Sequence, residues 1–150
     1  MNNFNVSSAI NTCKELRLKK IDVLKDKKAK SKVTFTIIND LSKEYAVIPF
    51  DDCVFKQIND ATKKCDYGLE LEKNIYFIEL KGSDNNQALK QILKTYELTK
   101  NHYFNSNFFA RIVTSHKQKP ENLDKITYKK IIKFTKNNLV IEQNSHKEII

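Results

Sequence analysis

Residues 65–82 read Cys-Asp-Tyr-Gly-Leu-Glu-Leu-Glu-Lys-Asn-Ile-Tyr-Phe-Ile-Glu-Leu-Lys-Gly, two apolar and aromatic runs separated by a short polar break. This pattern predicts a β-hairpin with strands over residues 65–71 and 75–81. The second run is apolar at every position from Ile75 to Ile78, which is typical of a central strand covered by helices. A carboxylate at the end of such a strand, as at Glu79, is costly to bury unless a cation compensates for it.

The length of the hairpin turn decides which side chains meet. A two-residue turn at Lys73-Asn74 places Asp66 opposite Lys81 and Gly68 opposite Glu79, all on one face of the sheet. Directly opposed Cβ atoms are then about 5 Å apart and diagonal ones about 7 Å apart, so Asp66 and Glu79 can share one cation. A three-residue turn would move Asp66 to the other face and remove the site.

Two converging carboxylates suggest a metal site. Together with the Leu80 backbone carbonyl and waters, Asp66 and Glu79 would form an oxygen site suited to Mg²⁺ or Mn²⁺. Such an ion polarises a phosphoryl oxygen and lowers the pKa of a bound water, and Lys81 would orient or deprotonate that water. Gly82 would let a sugar-phosphate backbone approach closely. The pattern predicts metal-dependent hydrolysis of a phosphodiester.

These residues resemble the motif of the PD-(D/E)XK nuclease superfamily, which includes restriction endonucleases and Holliday-junction resolvases. The resemblance covers roughly residues 33–141, with specific motifs within residues 51–91. It implies an α/β fold with a restriction-endonuclease-like core, a central mixed β-sheet flanked by helices. It also implies that Asp66 and Glu79 are metal ligands and that Lys81 and Gln91 are catalytic, Gln91 as the glutamine of the following helix.

Some positions depart from the family pattern or leave a choice open. Cys65 stands where the name-giving proline would be, and Asp52 replaces a glycine after Asp51. Asp51 either adds a carboxylate to the site or belongs to an ordinary turn after a strand. Gln91 flanks an apolar helical stripe, so a surface position is an equal alternative to a catalytic one.

The rest of the chain predicts the element order α-β-β-β-β-α-β-α-β. A helix is expected over residues 8–24, a first β-hairpin over 33–38 and 44–50, and a helix after Gly82 with Asp84 as its N-cap. A strand over 108–114, a helix over 122–136 and a final strand over 138–142 complete the pattern.

Composition indicates one domain over residues 1–150, because 150 residues that are 40% hydrophobic with two Gly and two Pro suit a single core. The three cysteines are widely spaced, so a disulfide framework is not expected, and Cys53 and Cys65 are interpreted as small core residues. No apolar run could cross a bilayer, and the N-terminus lacks a secretory-signal layout, which predicts a cytoplasmic protein without a membrane partner.

The net charge of +9 suits a polyanionic partner. The lysines are spread along the chain, apart from residues 25–32, so charge alone supports nucleic-acid binding only weakly. DNA is the favoured substrate, and a homodimer would suit a small nuclease that cuts two strands. Two alternatives remain: a catalytically inactive nuclease-fold module that binds nucleic acid, and a protein-interaction component.

Overall fold

The computed structural model describes residues 4–26, 32–58 and 63–150. Its helical elements are α1 (Val6–Cys13), a π-helical turn (Phe50–Val54), α2 (Asn85–Thr99), a 3-10 turn (Pro120–Asn122) and α3 (Lys125–Thr135). Its strands are β1 (Glu15–Arg17), β2 (Ile21–Lys25), β3 (Thr34–Ile38), β4 (Tyr45–Pro49), β5 (Tyr67–Leu71), β6 (Asn74–Lys81), β7 (Asn107–Thr114), β8 (Leu139–Gln143) and β9 (Ser145–Ile149).

The strands form two sheets. The larger has the order β1-β4-β5-β6-β7-β8, with β6, β7 and β8 parallel and the other neighbours antiparallel. The smaller has the order β2-β3-β9, in which β3 and β9 are parallel. The protein is therefore a mixed α/β protein whose central mixed sheet is flanked by helices, as the sequence predicted.

Strand β6 is central and is covered on both faces. Ile75 and Phe77 belong to the core beneath the helices, whereas Ile78 and Leu80 belong to a second core between the two sheets. Successive residues of a strand point to opposite faces, so an unbroken apolar run is what this position requires. The central strand was predicted correctly, but the small sheet, rather than a second layer of helices, covers its other face.

The predicted helix over residues 8–24 is wrong after Cys13, where α1 ends and β1 and β2 follow. In β2 the charged Asp22 is buried while its neighbours Ile21 and Val23 are exposed. Asp22 faces inwards because it accepts hydrogen bonds from Arg17 at 2.8 Å and from the Tyr45 hydroxyl at 2.9 Å. Apolar spacing could not reveal a strand that buries the charged Asp22 together with Leu24 and exposes Ile21 and Val23.

The predicted first hairpin is also wrong. Strands form over both of its segments, but β3 pairs with β2 and β9, and β4 pairs with β1 and β5 in the other sheet. Strand β9 was not predicted. Alternating residues indicate that a strand forms, but its partner depends on contacts with distant parts of the chain. Residues 27–31 of the lysine-rich stretch 25–32 lie outside the described residues.

The cysteine prediction needs correcting. Cys13 and Cys53 form a disulfide that joins α1 to the π-helical turn, and Cys65 is a free, buried thiol. In the chain-entropy view, closing a loop of 40 residues stabilises the fold by about 4 kcal/mol. Widely spaced cysteines carry no signal of their pairing. Disulfides are uncommon in cytosolic proteins, which weighs against the predicted cytoplasmic location. Among the described residues, none of the helices could span a membrane.

Candidate active site

The β5–β6 hairpin has a two-residue turn, as the site required, although it lies one residue earlier than predicted. Leu71 is paired with Asn74, so the turn consists of Glu72 and Lys73 instead of Lys73 and Asn74. Glu72 adopts a left-handed backbone conformation with φ 55°. Because the turn keeps two residues, the predicted sharing of one sheet face is retained while the register shifts by two positions.

The shifted register brings the two acidic residues closer together than predicted. Gly68 lies opposite Phe77 instead of Glu79, and Asp66, just before β5, lies beside Glu79. The Asp66 amide donates a hydrogen bond to Glu79 Oε1 at 3.1 Å, and the Leu80 amide donates to Asp66 Oδ2 at 2.9 Å. One hydrogen bond therefore joins Asp66 directly to the Glu79 carboxylate, and the other holds the Asp66 carboxylate on the backbone of Leu80, the next residue of β6.

Lys81 completes the predicted trio. It follows Glu79 by two positions in the same strand, so both side chains belong to the helix-covered face to which Phe77 also points. Its charge lowers the pKa of Asp66 and of Glu79. Lys81 forms no hydrogen bond or ion pair with any residue of the described ranges, which leaves its ammonium group available to a ligand.

The electrostatics of the carboxylate pair are unfavourable without a further cation. Burial raises the pKa of Glu79, which is 2% exposed, well above its usual range, and neighbouring Asp66 raises it further. Burial also raises the pKa of Asp66 to about 7, against the effect of the Leu80 amide, and the charges of Asp26 and Asp51 add to the rise. A buried pair of carboxylates remains ionised only if positive charge compensates for it.

The donor set suits a hard divalent cation. Glu79 Oε2 and Asp66 Oδ1 accept no hydrogen bond from the described residues, so each carboxylate keeps one oxygen for a ligand. The amide and carbonyl of a strand residue point to the same side, so the Leu80 carbonyl faces the side on which Asp66 lies. Within residues 4–26, 32–58 and 63–150, no three His, Cys, Asp or Glu side chains converge to hold a metal. An ion here would complete its shell with the carbonyl and waters, as Mg²⁺ commonly does.

Further acidic residues surround the pair. Asp26, Asp51 and Asp52 line a small pocket together with Asp66 and Tyr67. Asp51 lies in the π-helical turn that directly follows β4, and its charge raises the pKa of Asp66. It therefore belongs to a turn after a strand, while its membership of the site stays a prediction. Asp26 was missed because it follows β2, a strand that the sequence pattern presented as a helix. No local signal in the sequence could have placed it here.

Gln91 is buried in α2, so the surface alternative is wrong. Its Nε2 donates to the Lys64 carbonyl at 3.1 Å, and its Oε1 is a buried atom without a hydrogen-bond partner among the described residues. One turn later, the Thr95 hydroxyl accepts a hydrogen bond from the Cys65 amide at 2.8 Å. Helix α2 thus fixes the segment that leads into Asp66, while a catalytic role for Gln91 stays a prediction.

The segment that leads into Asp66 is also held by Phe50, the residue that follows β4. The Phe50 amide donates to the Asp66 carbonyl at 3.0 Å. The Phe50 ring lies over Gly68, where an added Cβ would be 2.5 Å from ring atom Cε2. Only glycine allows this approach. The position of Asp66 is therefore set by β4, β6 and α2 together.

No protein-family model, curated protein or solved structure matches this chain. The resemblance to PD-(D/E)XK nucleases therefore stays a prediction from the sequence.

Proposed function

We propose that this protein is a metal-dependent nuclease that hydrolyses phosphodiester bonds, with DNA as its favoured substrate and a restriction-endonuclease-like core as its scaffold. One observation carries the proposal. The adjacent carboxylates of Asp66 and Glu79 are held by the backbone amides of Leu80 and Asp66, respectively, and Lys81 follows on the same face of the sheet.

The structural alternative for these residues is a cross-strand ion pair on a solvated face. Glu79 is almost completely buried, so its face is not solvated. The group beside it is another carboxylate, which raises its pKa, so the contact is not an ion pair. A buried acidic pair of this kind destabilises a fold and is a candidate for function.

Each residue has a role in the proposed reaction. Asp66, Glu79 and the Leu80 carbonyl would hold Mg²⁺ or Mn²⁺. The ion, when bound, supplies Lewis-acid polarisation of the phosphoryl group and a water of lowered pKa. Lys81 orients or deprotonates the attacking water, or neutralises the negative charge that develops at phosphorus. Gln91 holds the Lys64 carbonyl and thereby helps to position Asp66.

The net charge of +9 supports a polyanionic substrate, since lysines that contact phosphates release condensed counterions. This support is secondary to the site, because charge favours nucleic-acid binding without specifying cleavage.

The test is cleavage of double-stranded DNA, single-stranded DNA and RNA by purified protein with Mg²⁺, Mn²⁺ or a chelator. Metal-dependent cleavage is expected, and Lys81→Ala should lower the rate on the order of 10²-fold or more. Lys73→Ala is the matched control, because Lys73 lies in the exposed turn at the other end of the same hairpin. Its rate should equal that of the wild type.

Two results would overturn the proposal. The first is no cleavage of any substrate with either ion, in which case salt-sensitive DNA binding would favour an inactive nucleic-acid-binding module. Absence of binding even at low salt would favour a protein-interaction component. The second is equal cleavage by Lys81→Ala and wild type.

A further inference from the structure

A second cavity lies away from the carboxylate pair, between β8, the start of α3 and residues 117–123. Its volume is about 330 Å³, which is within the range of small-ligand sites. The β8 side chains of Leu139 and Ile141 and the loop residues Pro120 and Leu123 provide an apolar floor. The cavity can therefore accept a flat, apolar group.

The rim of this cavity is cationic. Lys117, Lys125 and Lys129 line it, and no acidic residue is among the described residues that do so. Two acids lie within residues 117–129, Glu121 and Asp124, but the Asp124 carboxylate accepts the amide hydrogen bonds at the N-terminus of α3. Three lysines above an apolar floor favour a ligand that has both an anionic group and an apolar ring.

Two further groups indicate which kind of ring the ligand has. The Tyr128 side chain lines the cavity and is 37% exposed, so its ring is available for stacking. Gln118 also lines the cavity, and its Oε1 is buried without a hydrogen-bond partner among the described residues. An unsatisfied buried acceptor is unfavourable. A ring that bears an N–H donor could satisfy it after rotation of the terminal amide.

The loop that forms this wall is held in place by α2. The Gln118 amide donates to Asn85 Oδ1 at 2.9 Å, and Asn85 Nδ2 donates to the His116 carbonyl at 3.0 Å. The Asp124 amide donates to Asn86 Oδ1 at 2.7 Å. Helix α2 thus holds the backbone of the loop that lines the cavity at residues 116, 118 and 124.

We propose that this cavity binds a nucleoside phosphate, either as a free mononucleotide or as one unit of a single strand. The base lies on the apolar floor against Tyr128 and donates a hydrogen bond to Gln118 Oε1, and the phosphate pairs with the lysines. A bare phosphate would not use the floor, and an uncharged aromatic would not use the lysines. The proposal goes beyond the nuclease assignment and does not require cleavage.

The test is titration of the whole protein, in the presence of a chelator, with AMP, UMP, adenosine, inorganic phosphate and a short single-stranded oligothymidylate. Calorimetry measures affinity, and amide chemical shifts report where each compound binds. We expect AMP, UMP or the oligonucleotide to bind at least tenfold more tightly than adenosine or phosphate. Shifts should concentrate at residues 117–129 and 139–141. Preference for AMP or UMP would indicate a free nucleotide, and preference for the oligonucleotide a strand.

Variants of the lining residues test whether nucleotides bind in this cavity. The double variant Lys125→Gln/Lys129→Gln should weaken nucleotide binding at least tenfold, and Tyr128→Ala should also weaken it. The matched control Lys130→Gln/Lys133→Gln removes the same charge from exposed positions of α3 outside the cavity and should bind normally. Equal loss in the two double variants would overturn the proposal, as would phosphate binding as tightly as AMP, or no binding of any nucleotide. This experiment does not measure cleavage, so a failure to bind nucleotides would leave the nuclease proposal unaffected.

Discussion

Asp22 and Glu79 are both buried carboxylates, but their surroundings differ. Asp22, in the core between the two sheets, is 4% exposed and accepts hydrogen bonds from Arg17 and the Tyr45 hydroxyl, with Lys19 Nζ 3.9 Å away. Glu79, on the helix side, accepts one backbone hydrogen bond and has a second acid as its neighbour. The charge of Asp22 is compensated by Arg17 and Lys19, whereas Glu79 lies beside a second carboxylate, which distinguishes a structural acid from a candidate functional one.

The largest effect is expected for a substitution of Glu79, which should lower activity without lowering stability. Glu79→Gln keeps an oxygen acceptor for the Asp66 amide but removes a charge that burial penalises. We expect cleavage to fall on the order of 10²-fold or more, with the free energy of unfolding of the metal-free protein unchanged or higher. Cleavage rates and urea unfolding of the same preparation measure both quantities.

Glu72→Gln is the control for this change, because Glu72 is an exposed carboxylate in the turn of the same hairpin. It should change neither rate nor stability. A Glu79→Gln protein that cleaves normally but has lost stability would make Glu79 structural and remove the contrast with Asp22.

The opposite outcome is expected at Asp22. Asp22→Asn leaves Arg17 without its buried partner, and breaking such a pair costs about 3 kcal/mol; the partial exposure of Arg17, at 22%, favours this lower end of the range. Cleavage per folded molecule should be retained. Glu15→Gln is a matched control, since Glu15 also pairs with Arg17 but is exposed, and it should cost less than about 1 kcal/mol. Equal losses would show that burial of Asp22 adds nothing.

Metal binding provides a readout that does not depend on catalysis. Ligand that binds only the folded state stabilises it by about 2.7 kcal/mol at one hundred times its Kd. Mg²⁺ or Mn²⁺ should therefore raise the Tm of the wild type and of Asp22→Asn, but not that of Asp66→Asn. A Tm increase that persists in Asp66→Asn would place the ion elsewhere in the molecule.

The sequence predicted the hairpin that carries Asp66 and Glu79, because this region depends on local patterns. The strands β5 and β6 and the two-residue turn follow from alternation and turn residues, and these suffice to bring Asp66 and Glu79 to one face. The register was shifted by two because Glu72 occupies a turn position with positive φ that glycine, asparagine or aspartate would have signalled.

The surroundings of Asp22 could not be predicted, because they depend on contacts between distant segments of the chain. Asp22 was assigned to a helix. Residues 8–24 alone do not indicate that its carboxylate is buried and accepts hydrogen bonds from Arg17 and Tyr45. The same error hid Asp26 from the site. The Cys13–Cys53 disulfide was missed for a related reason, since its partners meet only when α1 packs against the π-helical turn.

The smallest expected effect concerns a third acid, Glu148, which resembles Asp22. Burial alone would raise its pKa, but hydrogen bonds from His146 and Arg111 outweigh this and lower the pKa below 4.5. A carboxyl whose pKa is lower in the folded state stabilises the protein above its unfolded pKa, and this contribution disappears as the pH falls through the folded pKa. Arg111 and Glu148 are only 7% and 14% exposed, so Glu148→Gln should be less stable than the wild type by about 1.5 kcal/mol at neutral pH, the lower end for a hydrogen bond to a charged group, because Gln keeps an oxygen acceptor for Arg111. Urea unfolding at several pH values measures this difference, which should shrink below about pH 4. A difference independent of pH would mean that packing of Glu148, and not its compensated charge, stabilises the fold.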